Sequence, residues 1–406
     1  MNNPLQEKHI ILGVTGSIAA YKAVDLASKL TQSGAIVDVV LTESACKFVS
    51  PLTFQSVTGR KASTETDLWG GEGHVVHVAL GHKADLLIIA PASANTMAKL
   101  AAGIADNLLS VTALASSAPI ILAPAMDADM FNHPATRENV EILRRRGAIL
   151  IGPESGHLAS GLVGPGRMTE PNEIINQARF LLSRNGKLAG RKVVVTAGGT
   201  IEPIDPVRVI TNRSSGKQGY ALAQAALDLG CDVTLISSTR QLPTPADANL
   251  IMVDTAQQML EKVLTESSQT DLLIMAAAVA DFRPMHTENE KIKKERNLPV
   301  INLEKTADIL FEVAKIRELT GFPKRIIGFA AESQSLLENA QRKIKQKRLD
   351  LIAANDITAQ DAGFEVDTNR VILLFPDGTT RDLGLQTKME AAQTILETAA
   401  VWFEKV

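Results

Sequence analysis

The chain has 406 residues, 45% hydrophobic and 21% charged, with a formal net charge of −3. That length exceeds one ordinary core and points to two domains, and the composition is that of a globular chain, not a disordered one. The near-neutral balance supplies no bulk basic field for nucleic acid or an anionic membrane, and no apolar run reaches the roughly 18 residues of a spanning helix.

MNNPLQEKHIILG lacks a basic stretch leading into a long apolar core, so no signal peptide is expected. Cys46 and Cys231 are far apart and neither sits in a CxxC pair, which argues against a disulfide framework or zinc site and for a cytoplasmic setting. HIILGVTGS (9–17) is an apolar run ending in Gly and Ser, followed by the helical pattern IAAYKAVDLASKLTQSG and the strand candidate AIVDVVLTES. APASANTMAKLAAGIADNLL (90–109) and PAMDADMF (124–131) each follow an apolar run and read as strand ends opening into polar loops. EIINQARFLLSRNGKLAG reads as a closing helix and tether, which places the domain join between 184 and 185.

GRKVVVTAGGT (190–200) begins the second half as the first half began, with QGYALAQAALDLG as its helix and CDVTLISS as its next strand. DLLIMAAAV (271–279), RIIGFAA (325–331) and LDLIAAND (349–356) supply further buried strands. VILLFPDGTTRDL predicts a hairpin over Asp377-Gly378, and LQTKMEAAQTILETAAVWFEKV an amphipathic closing helix. The expected fold is α/β: two Rossmann-like, three-layer domains with mostly parallel sheets, residues 1–184 and 185–406.

In the first half GVTGS is not GxGxxG, so a dinucleotide is not indicated. A Gly-Ser turn entering a helix still suits one phosphate, and is equally a tight turn with no ligand. In the second half SSGK before a helix is a generic anion site or a solvated loop, and there is no Walker sequence. KIKK (291–294) and RKIKQKR (342–348) each adjoin a strand end, where lysines can clamp a polyphosphate, although charge runs are more often solvated faces.

GVTGSIAAYK, HVALGHKADLLIIAPASANTMAKLAAGIADNLL, PAMDADMF and ASGLVGPGRM resemble the flavin-dependent cysteine decarboxylase family. The second half resembles the phosphopantothenate–cysteine ligase domain, and the two in this order resemble the bifunctional family of coenzyme A biosynthesis. The resemblance implies FMN at Gly16, Ser17, Ile18, Thr42, Ser44, Ser93 and Asn95, with His77 as the catalytic acid–base group. His74 and His82 lie nearby, and only the family motif singles out His77.

Met126 and Asp127 fall in the substrate motif and Ser160 in the catalytic flap, but many members carry Asn in place of Asp127 and Cys in place of Ser160. An ionised carboxylate repels a carboxylate substrate unless protonated, cation-paired or turned away, and a hydroxyl has no redox chemistry. Three readings stand: a decarboxylase with a rearranged proton relay, a half that stops at the unsaturated product or takes a related thiol acid, and a flavin-binding scaffold. As a plain alternative, Asp127 caps the segment that follows it.

For the ligase half the resemblance implies CTP as nucleotide, held at Asp281, Lys291, Lys305, Thr306, Ala307, Asp308, Ile309, Phe329, Lys343 and Lys347. It places Asn212 on the phosphopantothenoyl-cytidylate intermediate. The loop KTADI differs from the usual Asn-Pro-Asp-Ile at Thr306 and Ala307. Mg²⁺ (or Mn²⁺) is expected to ride mainly on the CTP phosphates, with Asp281 as the one protein group considered for it. The expected partners are small molecules (phosphopantothenate, cysteine, CTP) and further copies of the chain, with flavin sites shared between first halves and second halves paired as dimers.

Overall fold

The computed structural model describes residues 3–68, 75–292, 300–332, 336–356 and 366–404; His74 and the Lys293-Lys294 end of KIKK lie outside them. The chain divides into two compact units, residues 3–182 and 183–406.

In order, the first unit holds β1 (His9–Val14), α1 (Ala20–Gln32), β2 (Ile36–Leu41), α2 (Pro51–Thr58), α3 (Val76–Lys83), β3 (Leu86–Ala92), α4 (Ala94–Ala102) and α5 (Leu108–Ala115). It continues through β4 (Ile120–Pro124), α6 (Ala128–Asn132), α7 (Pro134–Arg145), β5 (Ile149–Leu150), the hairpin β6 (Glu154–His157) and β7 (Val163–Arg167), and α8 (Pro171–Ser183). The main sheet has the order β2-β1-β3-β4-β5 and every pairing in it is parallel.

Successive strand side chains point to opposite faces, and both faces are covered. Leu86, Ile88 and Ala90 of β3 join Leu26 and Leu30 of α1, Phe54 of α2 and Ile174 of α8 in one core. Leu87, Ile89 and Ala92 join Met97 of α4, Leu108 and Leu109 of α5, and Val140 and Leu143 of α7 in the other. Burial on both sides is why these strands read as continuous apolar runs and not as alternating ones.

The second unit holds β8 (Lys192–Ala197), β9 (Ile201–Pro203), β10 (Val209–Thr211), α9 (Lys217–Asp228), β11 (Asp232–Ser237), β12 (Asn249–Met252), α10 (Ala256–Glu266), β13 (Leu272–Met275) and β14 (Phe282–Pro284). After these come β15 (Leu303–Lys305), α11 (Ile309–Thr320), β16 (Arg325–Glu332), α12 (Leu336–Lys347), β17 (Leu351–Asp356), β18 (Thr368–Leu374), β19 (Thr380–Thr387) and α13 (Lys388–Ala400). The sheet order is β12-β11-β8-β13-β16-β17-β18-β19. It is parallel through β17, and β18 and β19 run antiparallel at its edge.

The chain leaves β8 toward β11 and returns to β13 on the other flank of β8. With right-handed crossovers, α9 therefore covers one face and α10 the other. α13 packs against α9, while α11 packs against α10 and α12. The strand order reverses between β8 and β13, and it is there that the carboxyl ends of open α/β sheets leave a crevice.

Two stretches differ from their sequence reading. Only Leu272–Met275 of DLLIMAAAV is strand, and the alanines beyond it turn out into loop. Leu385–Thr387 completes the β18–β19 hairpin and not the closing helix, because the Thr387 hydroxyl accepts from the Glu390 N–H while the Glu390 carboxylate accepts from the Thr387 N–H, stopping α13 at Lys388.

Candidate functional sites

The first unit carries a cavity of about 600 Å³ at the carboxyl ends of β1, β2, β3 and β4. Gly16, Ser17, Thr42, Ser44, Ser93, Asn95 and Met126 line it, so the three polar strand ends converge with the PAMDADMF loop. Buried Thr15 fixes their relation: its hydroxyl donates to the Pro91 carbonyl at 2.7 Å and accepts from the Ser93 N–H at 2.9 Å. Ser93 in turn caps α4, accepting from the Thr96 N–H at 3.3 Å. Gly16 is obligatory on space alone, because a Cβ there would stand 2.5 Å from the Ser44 Cβ.

Sequence reading missed the charged part of this wall. Glu43, Glu65, Lys99 and Asp106 also line the cavity. Lys99 pairs with Asp106 at 2.8 Å and holds its carboxyl below the usual range. Glu65 accepts from the Leu108 N–H at 3.0 Å, anchoring the start of α5. Three carboxylates against one cation make this a site for hydroxyls and amides more than for a dense polyanion.

Four assigned residues, Ile18, His77, Asp127 and Ser160, stand outside this wall. Ile18 is 63% exposed, and the described contacts put neither it nor His77 on the cavity lining. His77, on α3, has a buried Nδ1 with no partner among the described residues, flanked by exposed Val75 and Val78. Asp127 is also off the lining; it caps α6, accepting from the Asp129 N–H at 3.1 Å, and its other oxygen accepts from the Ser160 hydroxyl. The Ser160 bond first and the Asp129 bond second hold the Asp127 carboxyl below its ordinary value. The hairpin bearing Ser160 sits tightly on this loop: the Met126 N–H donates to the Gly166 carbonyl at 3.1 Å, and a Cβ on Gly166 would stand 2.2 Å from the Met126 carbonyl oxygen.

The second unit carries a cavity of about 640 Å³ at the reversal point between β8 and β13. Asn212, Asp281, Lys305, Thr306, Ala307, Asp308, Ile309, Phe329, Lys343 and Lys347 all line it. They arrive from five separate segments, so the convergence is a property of the fold. Thr196 accepts from the Ala276 and Ala277 N–H groups at 3.1 Å each, and Thr200 accepts from the Ala280 N–H at 2.9 Å, which shapes the alanine loop after β13. Thr306 donates its hydroxyl to the Ala280 carbonyl at 2.6 Å and its N–H to the Asp281 carbonyl at 3.0 Å, fastening the KTADI loop beside Asp281. Asp308 caps α11 through the Phe311 N–H and pairs with Lys347 at 2.9 Å.

The Asn212 amide nitrogen donates to the carbonyls of Ala278 and Val279 at 3.2 and 3.1 Å. This neutral side chain thus bridges the loop before α9 and the loop after β13. Lys291 does not line the cavity; the backbone beside it is held at Ile292, whose N–H donates to Asp205 and whose carbonyl accepts from Arg208. Lys217, Gln218, Asn355, Asn369 and Lys388 line the cavity as well, and of these only Lys217 stood out in the sequence. Among the described residues no group of three or more His, Cys, Asp or Glu is placed to hold a metal, and no helix is long and apolar enough to cross a membrane.

Residues 1–182 match the family model Flavoprotein, and residues 188–402 match the DNA/pantothenate metabolism flavoprotein C-terminal domain. The chain is 44% identical to the coenzyme A biosynthesis bifunctional protein CoaBC of Bacillus subtilis (strain 168), over 98% of this chain and 97% of that one. It is also 44% identical to the protein of the same name from Mycobacterium tuberculosis (strain ATCC 25618 / H37Rv), over 96% of each chain. A solved C-terminal domain of a CoaBC protein covers 54% of this chain and 98% of its own, at 37% identity and a TM-score of 0.46. With both family models matched in sequence order and relatives aligned over nearly their whole length, the chain belongs to the bifunctional coenzyme A biosynthesis family, in which a flavoprotein decarboxylase domain precedes a ligase domain.

Proposed function

We propose that residues 185–406 join 4′-phosphopantothenate to cysteine at the expense of CTP, and that residues 1–184 decarboxylate the product to 4′-phosphopantetheine with FMN. The observation that carries the ligase reading is the gathering of Asn212, Asp281, the 305–309 loop, Phe329, Lys343 and Lys347 around one cavity. A free carboxylate is a poor acyl donor. Its oxygen attacks the α-phosphorus of CTP, pyrophosphate leaves, and the cysteine amine then attacks the acyl carbon and displaces CMP. Lysines on the wall offset charge gathering on phosphate, and Asn212 binds the mixed anhydride without adding charge. Mg²⁺ or Mn²⁺ belongs on the nucleotide phosphates, with Asp281 the one lining residue we assign near it.

The first cavity fits FMN: hydroxyl and amide groups ring it, Met126 offers an apolar surface, and Gly16 lets a ligand approach the backbone. FMN held there would supply reversible two-electron chemistry: oxidation at the cysteinyl carbon–sulfur bond would make the electron sink into which the carboxylate departs as carbon dioxide, and return of the same two electrons with a proton would reduce the resulting enethiol to the thiol of 4′-phosphopantetheine. Ser17, Thr42, Ser44, Ser93 and Asn95 orient the flavin, and His77 takes and returns a proton. His77 stands off the cavity wall of its own chain, which favours a site completed by a second copy. The exposed Val75 and Val78 beside it suit such a contact. Similarity over both halves favours two activities over a scaffold first half.

Full-length protein given phosphopantothenate, cysteine and CTP tests the ligase assignment. Over many turnovers pyrophosphate and CMP should form in equal amounts and only with all three present, while omission of cysteine should limit pyrophosphate to about one equivalent of enzyme; ligation without nucleotide breakdown would overturn it.

A further inference from the structure

The wall of the ligase cavity built by α9 and α13 holds two cations that the mechanism above leaves idle. Lys217 opens α9 and Lys388 opens α13, and both line the cavity. Lys388 is only 6% exposed and donates to the Val366 carbonyl, while Lys217 pairs with Asp367 at 2.6 Å. Burial first, and the Lys217 charge second, depress the Lys388 ammonium, with Asp367 opposing them. Asp367, 84% open to solvent, faces both ammonium groups.

The pair is also held rigidly. Asn355 donates to Asn369 at 3.0 Å, Asn369 to Gln218 at 2.8 Å, and Gln218 to the Lys388 carbonyl at 3.2 Å. A backbone carbonyl only accepts, so it sets the direction of every amide in the series. The amides therefore lock the first turns of α9 and α13 together. Gly216, which precedes α9, offers no side chain to the first-turn N–H groups. Cations fixed in advance at the head of a helix suit a phosphate chain.

The residues assigned to the nucleotide on α11 and α12 belong to the layer on the other face of the sheet. The cavity is continuous across the strand ends, so a nucleotide seated by Phe329 can extend its terminal phosphates toward α9. We infer that Lys217 and Lys388 hold the β,γ-diphosphate of the nucleotide and the pyrophosphate it becomes, with Asp367 standing in for that anion while the site is empty. When the substrate carboxylate oxygen bonds to the α-phosphorus, the bond from that phosphorus to the bridging oxygen breaks. The electron pair goes to pyrophosphate, whose charge these two lysines stabilise. The inference rests on CTP being the activating nucleotide.

Calorimetric titration of the full chain with CTP, CMP and pyrophosphate in Mg²⁺ tests it. Lys217→Gln and Lys388→Met should each weaken CTP and pyrophosphate by about ten-fold, the worth of one charged hydrogen bond, and leave CMP unchanged. Asp367→Asn should tighten both several-fold by removing the competing anion. Lys217 and Asp367 are exposed enough that their variants carry the test if Lys388→Met does not fold. Equal weakening of CMP and CTP, or no change in either, overturns the inference. So does a rise in KM for phosphopantothenate alone, which would give the lysines to that acid's phosphate. A wild-type chain that binds neither nucleotide overturns the function proposed above as well.

Discussion

Ser160 donates its hydroxyl proton to the carboxylate of Asp127, joining the β6–β7 hairpin to the loop after β4. These are the two first-half positions at which the sequence reading expected a departure from the family's motifs, and they are each other's partner. The carboxylate is thereby kept ionised and turned to a neighbour, and its other oxygen caps α6. The cap foreseen as the plain alternative and the flap contact are both made by the one side chain.

Asp127 should titrate below an ordinary carboxyl, and Ser160→Ala should bring its midpoint back up. The sign follows from the lowered folded value: the contact contributes fully above the unfolded pKa of about 3.9 and is lost as pH falls through the folded value. A ¹³C-detected carboxyl titration of wild type and Ser160→Ala checks this; identical midpoints would remove the bond from the explanation.

Asp127→Asn keeps a capping oxygen and discards the charge. Because the carboxylate is turned to Ser160 and lies off the cavity wall, KM for decarboxylation should change by less than about three-fold with the fold intact. Steady-state carbon dioxide release measures it, and a KM raised beyond that would mean that the carboxylate contributes positively to binding.

Gly16→Ala should give colourless protein. The added methyl meets Ser44 on the wall of the cavity proposed for flavin, and overpacking of this kind costs about 1–3 kcal/mol, or roughly ten-fold or more in affinity. Flavin absorbance after gel filtration reports the loss, while CTP-dependent ligation by the same protein should be unaffected.

His77→Gln should retain flavin and lose carbon dioxide release by at least about 100-fold, the usual worth of a positioned acid–base group. Mixing it with colourless Gly16→Ala protein should restore part of the activity, because each copy then supplies what the other lacks. No recovery after co-refolding would place His77 and the flavin of one site in the same chain.

Asn212→Ala should lower ligation by about ten-fold or more, since it removes two hydrogen bonds that set the loops on either side of the cavity as well as the amide we propose for the intermediate. Asn212→Asp should be worse, because it adds charge next to phosphate. Pyrophosphate release at saturating CTP distinguishes the two.

Much of the fold was legible because strands buried on both faces read as apolar runs, and the hydroxyls at Ser17, Thr42 and Ser93 mark where each run ends. The hairpin over Asp377-Gly378 was legible from its turn chemistry. The ties that shape the sites were not: Thr15 reaches Pro91 and Thr196 reaches Ala276 across 76 and 80 residues of sequence. Lys388 was hidden for another reason. A lysine at the head of an amphipathic helix reads as a solvent-facing charge, and only the return of α13 onto α9 buries it. His77 came from the family motif alone and Lys291 from a charge run and that resemblance, and each lies off the cavity wall of its own unit.

The central claim is that one chain carries out both steps in sequence, and carboxyl-labelled cysteine tests it most directly. With phosphopantothenate, CTP and the purified flavoprotein, labelled carbon dioxide should appear in molar equality with pyrophosphate after a lag in which the ligated acid builds up. Pyrophosphate formed at full rate with the label retained in the ligated product would contradict it, leaving a ligase fused to a flavin-binding half without decarboxylase activity.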